Sequence, residues 1–302
     1  MKKKNRLKLT FFLNLFFTVA EIIGSFLTNS IALLSDAIHD LGDSLSIGLS
    51  MYFEKRAQKK PDSDYTYGYR RYSLLGGMIA SIVLLIGATI VIVQAVPRLF
   101  DPEEVQAGLL IYFAIGGVVV NGAAALNAAR GSSLNEKVIS LHLFEDVLGW
   151  VALLIASIIM NIWPVYWLDA ALSIGFTLYI LSHVWANMKE ITAIFLERAP
   201  GDPSLGEIKE ALSDIDHVKN IHHVHYWRLE ENIPLLTLHV TVDGEISKES
   251  FIAMQHKIHE ILNKMGVEHV TAEPEFEGEE CMMPPCEDII DDAGSNDIGH
   301  RH

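Results

Sequence analysis

Six long apolar stretches fill the first two thirds of this chain and constrain its fold more than any other feature. They span residues 9–27, 31–53, 73–96, 107–128, 138–162 and 164–186. Each is close to the ~20 residues that an α-helix needs to cross the hydrocarbon core of a bilayer. The linkers between them are short, so the helices are expected to form a compact bundle. The sequence therefore predicts an α-helical membrane protein whose residues 1–199 form a six-transmembrane-helix bundle.

Lysine and arginine residues concentrate on one side of the predicted bundle. They precede the first apolar stretch and lie between the second and third and between the fourth and fifth, whereas the loops on the opposite side carry only Arg98. The positive-inside rule places the basic segments, and with them both termini, in the cytoplasm. We therefore expect a multi-pass protein of the cell membrane (inner or plasma membrane), surrounded by the lipid bilayer.

Four ionisable residues inside the apolar stretches form two matching pairs. His39 and Asp43 lie in the second stretch, and His142 and Asp146 repeat the same i, i+4 spacing in the fifth. This spacing places each pair on one helix face, and the rise of about 1.5 Å per residue places both near the middle of the bilayer. Two imidazole nitrogens and two carboxylate oxygens suit a four-coordinate Zn²⁺ site. The alternative is structural polar packing between helices.

Other ionisable residues in these stretches have no matching pair. Asp40 and Glu145 point about 100° away from the paired face and are expected to support the ligands or line the pore. Asp36 is expected along an exit path, because charged groups in hydrocarbon face a partner or water. For Glu21, Asp169 and His183 we expect hydrogen bonding within the bundle.

The last third of the chain is acidic and has a different pattern. Residues 200–302 hold 7 basic and 22 acidic residues, which accounts for the whole formal net charge of −15. Such a region repels phosphate, so no nucleic-acid partner is expected. Hydrophobic periodicity over residues 200–278 predicts a small cytoplasmic α+β domain of order α-β-β-α-β (ferredoxin- or metallochaperone-like), with helices on one face. Residues 279–302 form an acidic tail whose composition is typical of disorder.

Metal-ligating residue types also occur in the predicted α+β domain. His222 and His239 fall on adjacent predicted strands and Glu275 on the third, so their side chains are candidates for a second metal site. A solvated histidine-rich surface is the alternative. Cys281 and Cys286 are spaced more widely than the usual zinc-binding pair, and we expect both to belong to the solvated tail.

Several motifs resemble those of the cation diffusion facilitators, a family of zinc/proton antiporters, over nearly all of residues 5–280. They are NSIALLSDAIHDLGD at 29–43, YGYRR at 67–71, HLFED at 142–146, IHHVHYW at 221–227 and LHV at 238–240. The resemblance implies a homodimer, an intramembrane tetrahedral site of His39, Asp43, His142 and Asp146, and a cytoplasmic metal-sensing domain. It also places His222, His239 and Glu275 at that domain's metal site.

One departure from the family concerns the loop between the second and third stretches. Some members have a further metal site there, built partly from histidines. Tyr65 and Tyr69 stand at those positions here and leave only Asp62, so we expect this site to be absent. No histidine-rich loop joins the fourth and fifth stretches, as is typical of prokaryotic members.

The sequence and the resemblance together predict a secondary active transporter and not an enzyme. Zn²⁺ is expected as the transported substrate and as a regulatory ligand, leaving the cytoplasm in exchange for protons by alternating access. Binding of metal requires deprotonated histidine, so the two fluxes would be coupled. Export of Cd²⁺, Fe²⁺ or Co²⁺ stays open, because cavity shape rather than affinity decides between such metals. A membrane-bound zinc metalloenzyme and a metal sensor without transport are the alternatives from other classes.

Overall fold

The computed structural model describes residues 3–129, 134–267, 269–279, 281 and 283. The chain divides into two compact units, Met1–Lys189 and Glu190–His302, and each has its own secondary structure. The first unit is helical throughout. The second combines helices with a small sheet.

Six long helices begin in the first unit and match the six predicted stretches. They are α1 (Lys3–Thr28), α2 (Ile31–Ala57), α3 (Tyr72–Phe100), α4 (Ala107–Ala129), α5 (Leu134–Ile162) and α6 (Trp167–Phe195). Within the described part of the chain, four helical segments are long and apolar enough to span a bilayer: α3, α6, and the segments Ala107–Leu126 and Phe144–Ile162. Three aspartates in its first half make α2 too polar to qualify by composition. The count of six membrane spans therefore stays a prediction.

Asp169 of α6 fixes the start of α2 by capping it from a neighbouring helix. The Ser30 hydroxyl donates a hydrogen bond to Asp169 Oδ1 (2.5 Å), and the backbone N–H groups of Ile31 and Ala32 donate to Oδ2 (2.7 and 3.4 Å). The Ser30 hydroxyl oxygen in turn accepts from the Leu33 N–H (3.1 Å) as a local N-cap. The first N–H groups of a helix have no partner within it, and a carboxylate there also meets the positive end of the helix dipole. The hydrogen bonding expected of Asp169 is thus confirmed.

Polar contacts also join α1 and α2 at the level of the candidate site. The Asn14 side-chain amide donates to the Asp40 carbonyl (3.2 Å) and to the Ser44 hydroxyl (3.1 Å). The turn between these helices contains Asn29 in the left-handed region (φ 55°), and the Arg98 guanidinium donates to both its backbone and side-chain oxygens (2.9 Å each). These contacts hold α1, α2 and α3 in a defined register.

Small residues allow the helices to approach closely. A Cβ atom added at Gly117 of α4 would overlap the ring of Trp150 on α5, and one added at Gly87 of α3 would contact Ile38 of α2 at 2.6 Å. Glycine at such positions is typical of packed membrane helices, where van der Waals contact replaces the hydrophobic driving force. Both contacts involve helices that carry candidate ligands.

The second unit has the predicted order α-β-β-α-β. Its elements are α7 (Leu205–Ser213), β1 (Val218–Glu230), β2 (Ile233–Val242), α8 (Lys248–Lys264) and β3 (His269–Phe276). Strand β1 pairs antiparallel with β2, and β2 pairs parallel with β3 after the α8 crossover. Ser204 caps α7 in a reciprocal capping box, and α8 ends before Gly266, whose φ of +84° suits a residue without a Cβ atom.

Both helices of this unit pack on one face of the sheet, as the sequence predicts. Strand alternation turns Leu236, Leu238 and Val240 of β2 toward the core that α7 and α8 complete. The same alternation turns His239 to the opposite face. The candidate ligands of the second unit therefore lie on the sheet face away from the helices.

Candidate metal-binding sites

The structure brings together members of the two predicted membrane pairs from different helices. His39 Nε2 on α2 lies 3.8 Å from Asp146 Oδ1 on α5, and both side chains are about one fifth exposed (24% and 17%). Asp43 follows His39 by one helical turn and is half-buried. The side chain of His142 lies outside the described residues, although its backbone belongs to α5, one turn before Asp146. The His39–Asp146 contact joins one member of each predicted pair across α2 and α5.

Further acidic groups surround this contact. Asp36 and Asp40 are half-buried on α2, and Glu21 of α1 is only 1% exposed. Carboxyl groups inside a largely apolar helical unit are costly unless they face a partner, a cation or water, so their clustering here favours a cation-binding role. The hydrogen bonding expected of Glu21 is not found, because neither of its carboxylate oxygens has a hydrogen-bond partner among the residues that the structure describes.

The predicted cytoplasmic ligands form a tight cluster in the second unit. His222 and His239 stand directly opposite each other in the β1–β2 register. Glu275 bridges them, because its Oε2 lies 2.9 Å from His222 Nε2 and its Oε1 lies 2.6 Å from His239 Nδ1. With Cys281, each offers one ligand atom within 4.8 Å of the others. Two nitrogens, one oxygen and one sulfur form a donor set suited to tetrahedral Zn²⁺.

The expectation that Cys281 belongs to a solvated tail is wrong. The chain turns back after β3 at Gly278 (φ +97°), where the Glu279 carboxylate accepts a hydrogen bond from the Phe276 N–H (2.9 Å). This reversal brings Cys281 Sγ to 3.4 Å from His239 Nδ1. A glycine and an acidic residue directly after the last predicted strand were the available sequence signal for this turn. Cys286 lies outside the described residues.

Neighbouring groups orient and tune the cluster. Glu273 Oε2 lies 3.5 Å from His239 Nε2, on the ring nitrogen that faces away from Glu275. A carboxylate at the second nitrogen of a metal-binding histidine fixes the ring orientation and tautomer. Burial favours the neutral form of Glu275, but hydrogen bonds from His239 and Cys281 and the nearby histidine charges outweigh it and lower the pKa of this carboxyl. Glu275 is therefore poised as an ionised ligand.

Sequence reasoning also missed the position of His223. This residue adopts a left-handed conformation (φ 50°) at an irregularity in β1, and its ring centroid lies 4.6 Å from that of His239. Burial, followed by the charges of the neighbouring histidines, lowers the pKa of His223 and favours its neutral form. Strict strand alternation gave no reason to place His222 and His223 near the same partner.

In the loop between α2 and α3, Lys59 binds the carboxylate of Asp62, the one residue left of the loop metal site that some family members have. Lys59 Nζ donates to Asp62 Oδ2 (2.8 Å), and the Tyr69 hydroxyl donates to the same oxygen (2.7 Å). The hydrogen bond from Lys59 is the main reason that the pKa of Asp62 lies well below its usual range. Asp62 is thus engaged by protein groups, and the absence of a loop metal site stays a prediction.

Comparison with known protein families identifies the family to which both parts of the chain belong. Residues 7–196 match the model of the cation efflux transmembrane domain, and residues 200–275 match that of the cation efflux protein cytoplasmic domain. The chain belongs to the cation efflux family. As a cation efflux protein it is a multi-pass membrane transporter of metal cations and not an enzyme, and the resemblance to cation diffusion facilitators is confirmed.

Relatives align with this cation efflux protein over almost their whole length. A zinc transporter ZitB of Yersinia pestis is 32% identical over 98% of this chain and 94% of its own. A cadmium, cobalt and zinc/H(+)-K(+) antiporter of Bacillus subtilis (strain 168) is 30% identical over 91% of this chain and 89% of its own. The metal cation efflux system protein CzcD of Cupriavidus metallidurans is 29% identical over 90% of this chain and 84% of its own.

Proposed function

We propose that this protein exports Zn²⁺ from the cytoplasm in exchange for protons, by alternating access around a tetrahedral site of His39, Asp43, His142 and Asp146. The observation that carries the proposal is the approach of His39 on α2 to Asp146 on α5 inside a helical, largely apolar unit. Zinc appears in the names of the Yersinia pestis and Bacillus subtilis relatives, and proton antiport appears in the second. Both properties agree with an imidazole–carboxylate donor set.

Proton exchange follows from the chemistry of the ligands. An imidazole with an ordinary pKa of about 6.5 is partly protonated near neutral pH and must lose that proton to bind metal. Entry of Zn²⁺ at His39 therefore releases protons, and protons from the outer side displace Zn²⁺ once the site opens there. The carboxylates of Asp43 and Asp146 supply the negative charge that a dication needs inside the membrane.

The overall arrangement belongs to the same proposal. Six helices span the membrane within residues 1–199, both termini lie in the cytoplasm and residues 200–278 form the metal-sensing domain. Residues 279–302 form the acidic tail, whose Cys281 returns to the cytoplasmic cluster. Residues 200–275 match the family's cytoplasmic domain, which is named for dimer formation, and this match supports a homodimer. In the sensing domain, Zn²⁺ held by His222, His239, Glu275 and Cys281 would join three strand positions to the turn after β3 and favour one state of the dimer.

Transport by purified protein in liposomes tests the central claim. A zinc-sensitive dye inside the vesicles and a pH-sensitive dye report both fluxes at once. D43A and D146A should abolish zinc movement, whereas the exposed-loop variant E104Q should leave it unchanged. Retained zinc flux in D43A and D146A would exclude these carboxylates as ligands. Repeating the assay with Cd²⁺ and Co²⁺, the other metals in the name of the Bacillus subtilis relative, defines the selectivity.

The sensing role needs a separate test in the full-length protein. H222A combined with H239A removes two ligands from the cytoplasmic cluster without changing the transmembrane helices. Transport by this variant should respond less to zinc on the cytoplasmic side than transport by the wild type. An unchanged response would show that the cluster does not regulate transport.

A further inference from the structure

Among the described residues of the helical unit, the carboxyl groups of Asp169 and Glu21 are almost completely buried, and hydrogen-bond partners are found only for Asp169. Asp169 is 2% exposed and accepts three hydrogen bonds at the start of α2. Glu21, in the last third of α1, is 1% exposed, and neither of its oxygens accepts or donates a hydrogen bond within the part of the chain that the structure describes. A buried ionised carboxylate needs compensating donors or a cation, and Glu21 has neither.

The surroundings of Glu21 disfavour a negative charge still further. The titratable groups that face it from the neighbouring helices are the acidic residues Asp40 and Asp36 of α2 and Asp146 of α5. None of these acidic groups can supply the positive charge that would stabilise an ionised Glu21. On its other side, Glu21 borders a cavity of about 370 Å³ between α1, α4 and α5. Tyr112 carries the only titratable side chain that α4 contributes to the described lining of this cavity.

The lining of this cavity is almost entirely apolar. Phe17 and Ala20 of α1, Phe113 and the backbone at Gly117 of α4, and Trp150 of α5 surround the space beside Glu21. These groups provide no positive charge. The neutral, protonated carboxyl is therefore the form that this environment accommodates.

We propose that Glu21 is a proton-binding site of the transport cycle, separate from the four metal ligands. This role rests on the proton exchange proposed above. With no metal bound, the Glu21 carboxyl keeps its proton. When a dication enters between α2 and α5, its charge offsets the surrounding carboxylates and stabilises the ionised form. The O–H bond then breaks, its electron pair stays on Glu21, and the proton leaves toward the half-buried Asp40 and Asp36. Release of the metal reverses the step.

Proton release on metal binding tests this assignment directly. All variants are made in full-length protein that also carries H222A and H239A. These two changes remove ligands of the cytoplasmic cluster, so that zinc binding there no longer contributes to the proton release. Zn²⁺ is added in weak buffer, and released protons are counted with a pH indicator against bound zinc. E21Q in this background should bind Zn²⁺ but release fewer protons per metal than the background protein, because its amide holds no releasable proton. E104Q, an exposed glutamate variant, should match the background protein.

The outcomes separate this inference from the proposed function. If wild-type liposomes exchange zinc for protons but E21Q releases as many protons per bound zinc as the H222A/H239A background protein, only the role of Glu21 is overturned. If the wild type moves zinc without opposite proton movement, the exchange itself is refuted and the role of Glu21 with it. The proposal is supported if E21Q releases fewer protons per bound zinc than the background protein while E104Q releases the same number.

A measurement on the wild type keeps the proposal testable if E21Q does not fold. A hydrophobic carbodiimide reacts with protonated carboxyl groups inside membranes, and the cavity beside Glu21 offers it space. Mass spectrometry should find an adduct on Glu21 in the metal-free protein, and added Zn²⁺ should decrease it. Absence of the adduct, or an adduct that zinc leaves unchanged, would contradict the assignment.

Discussion

Replacement of Asp169 by alanine tests how the position of α2, and with it of His39, is maintained. The substitution removes the acceptor for the Ser30 hydroxyl and for the backbone N–H groups of Ile31 and Ala32. Two of these hydrogen bonds are short, at 2.5 and 2.7 Å. Their donors are buried, so water cannot replace the lost carboxylate without rearrangement.

The magnitude follows from these contacts. Each of the two short bonds has a buried donor, and a buried donor left unsatisfied costs about 1–3 kcal/mol. The third bond, at 3.4 Å, adds little. We therefore expect D169A to lower the free energy of unfolding by roughly 3–5 kcal/mol. By the scaling for domains of 150–250 residues, this corresponds to a melting temperature lower by roughly 6–20 °C.

Thermal unfolding of the full-length protein in detergent, followed by size-exclusion chromatography, measures this effect. D169N keeps one acceptor oxygen and should fall between D169A and the wild type. D101A removes an exposed aspartate from the α3–α4 loop and should change the stability by less than about 0.5 kcal/mol. A melting temperature of D169A within the range of D101A would refute the capping argument.

Three other substitutions test separate parts of the structure. S204A removes the cap of α7, so it should cost about 1 kcal/mol and speed amide hydrogen exchange in that helix; unchanged exchange would show that the capping box contributes nothing. G117A forces a Cβ atom against Trp150, which should cost about 1–3 kcal/mol and lower the melting temperature. E273Q removes the carboxylate beside His239 and should weaken Zn²⁺ binding at the cytoplasmic cluster about 10- to 100-fold, as measured by calorimetry; wild-type affinity would exclude an orienting role.

The order of helices and strands was predictable because it depends on the pattern of hydrophobic residues within each segment. Apolar stretches of about 20 residues predict helices wherever they occur, and the i, i+4 spacing of His39 and Asp43 fixes a shared face in any helix. In the second unit, alternation along the strands likewise predicted that His222 and His239 would stand on neighbouring strands. These inferences involve neighbours along the chain, so they survive without knowledge of the tertiary fold.

Contacts between distant segments were not predictable in the same way. Glu21 and Asp169 looked alike in the sequence, as single acidic residues in apolar stretches, yet one caps a helix and the other has no described partner. Cys281 looked like part of a solvated tail until the turn at Gly278 brought it to His239. In each case the outcome depends on which element packs nearby.

The sequence alone determined the helical membrane class, the α-β-β-α-β order and the residue types able to bind a metal, because each follows from composition or from periodicity within one segment. Only the tertiary structure decided which of those residues meet. The 3.8 Å contact between His39 and Asp146 joins positions more than 100 residues apart, and the cytoplasmic cluster unites three strands and a turn. Such distances are set by the packing of whole helices and by strand register, which no single segment encodes.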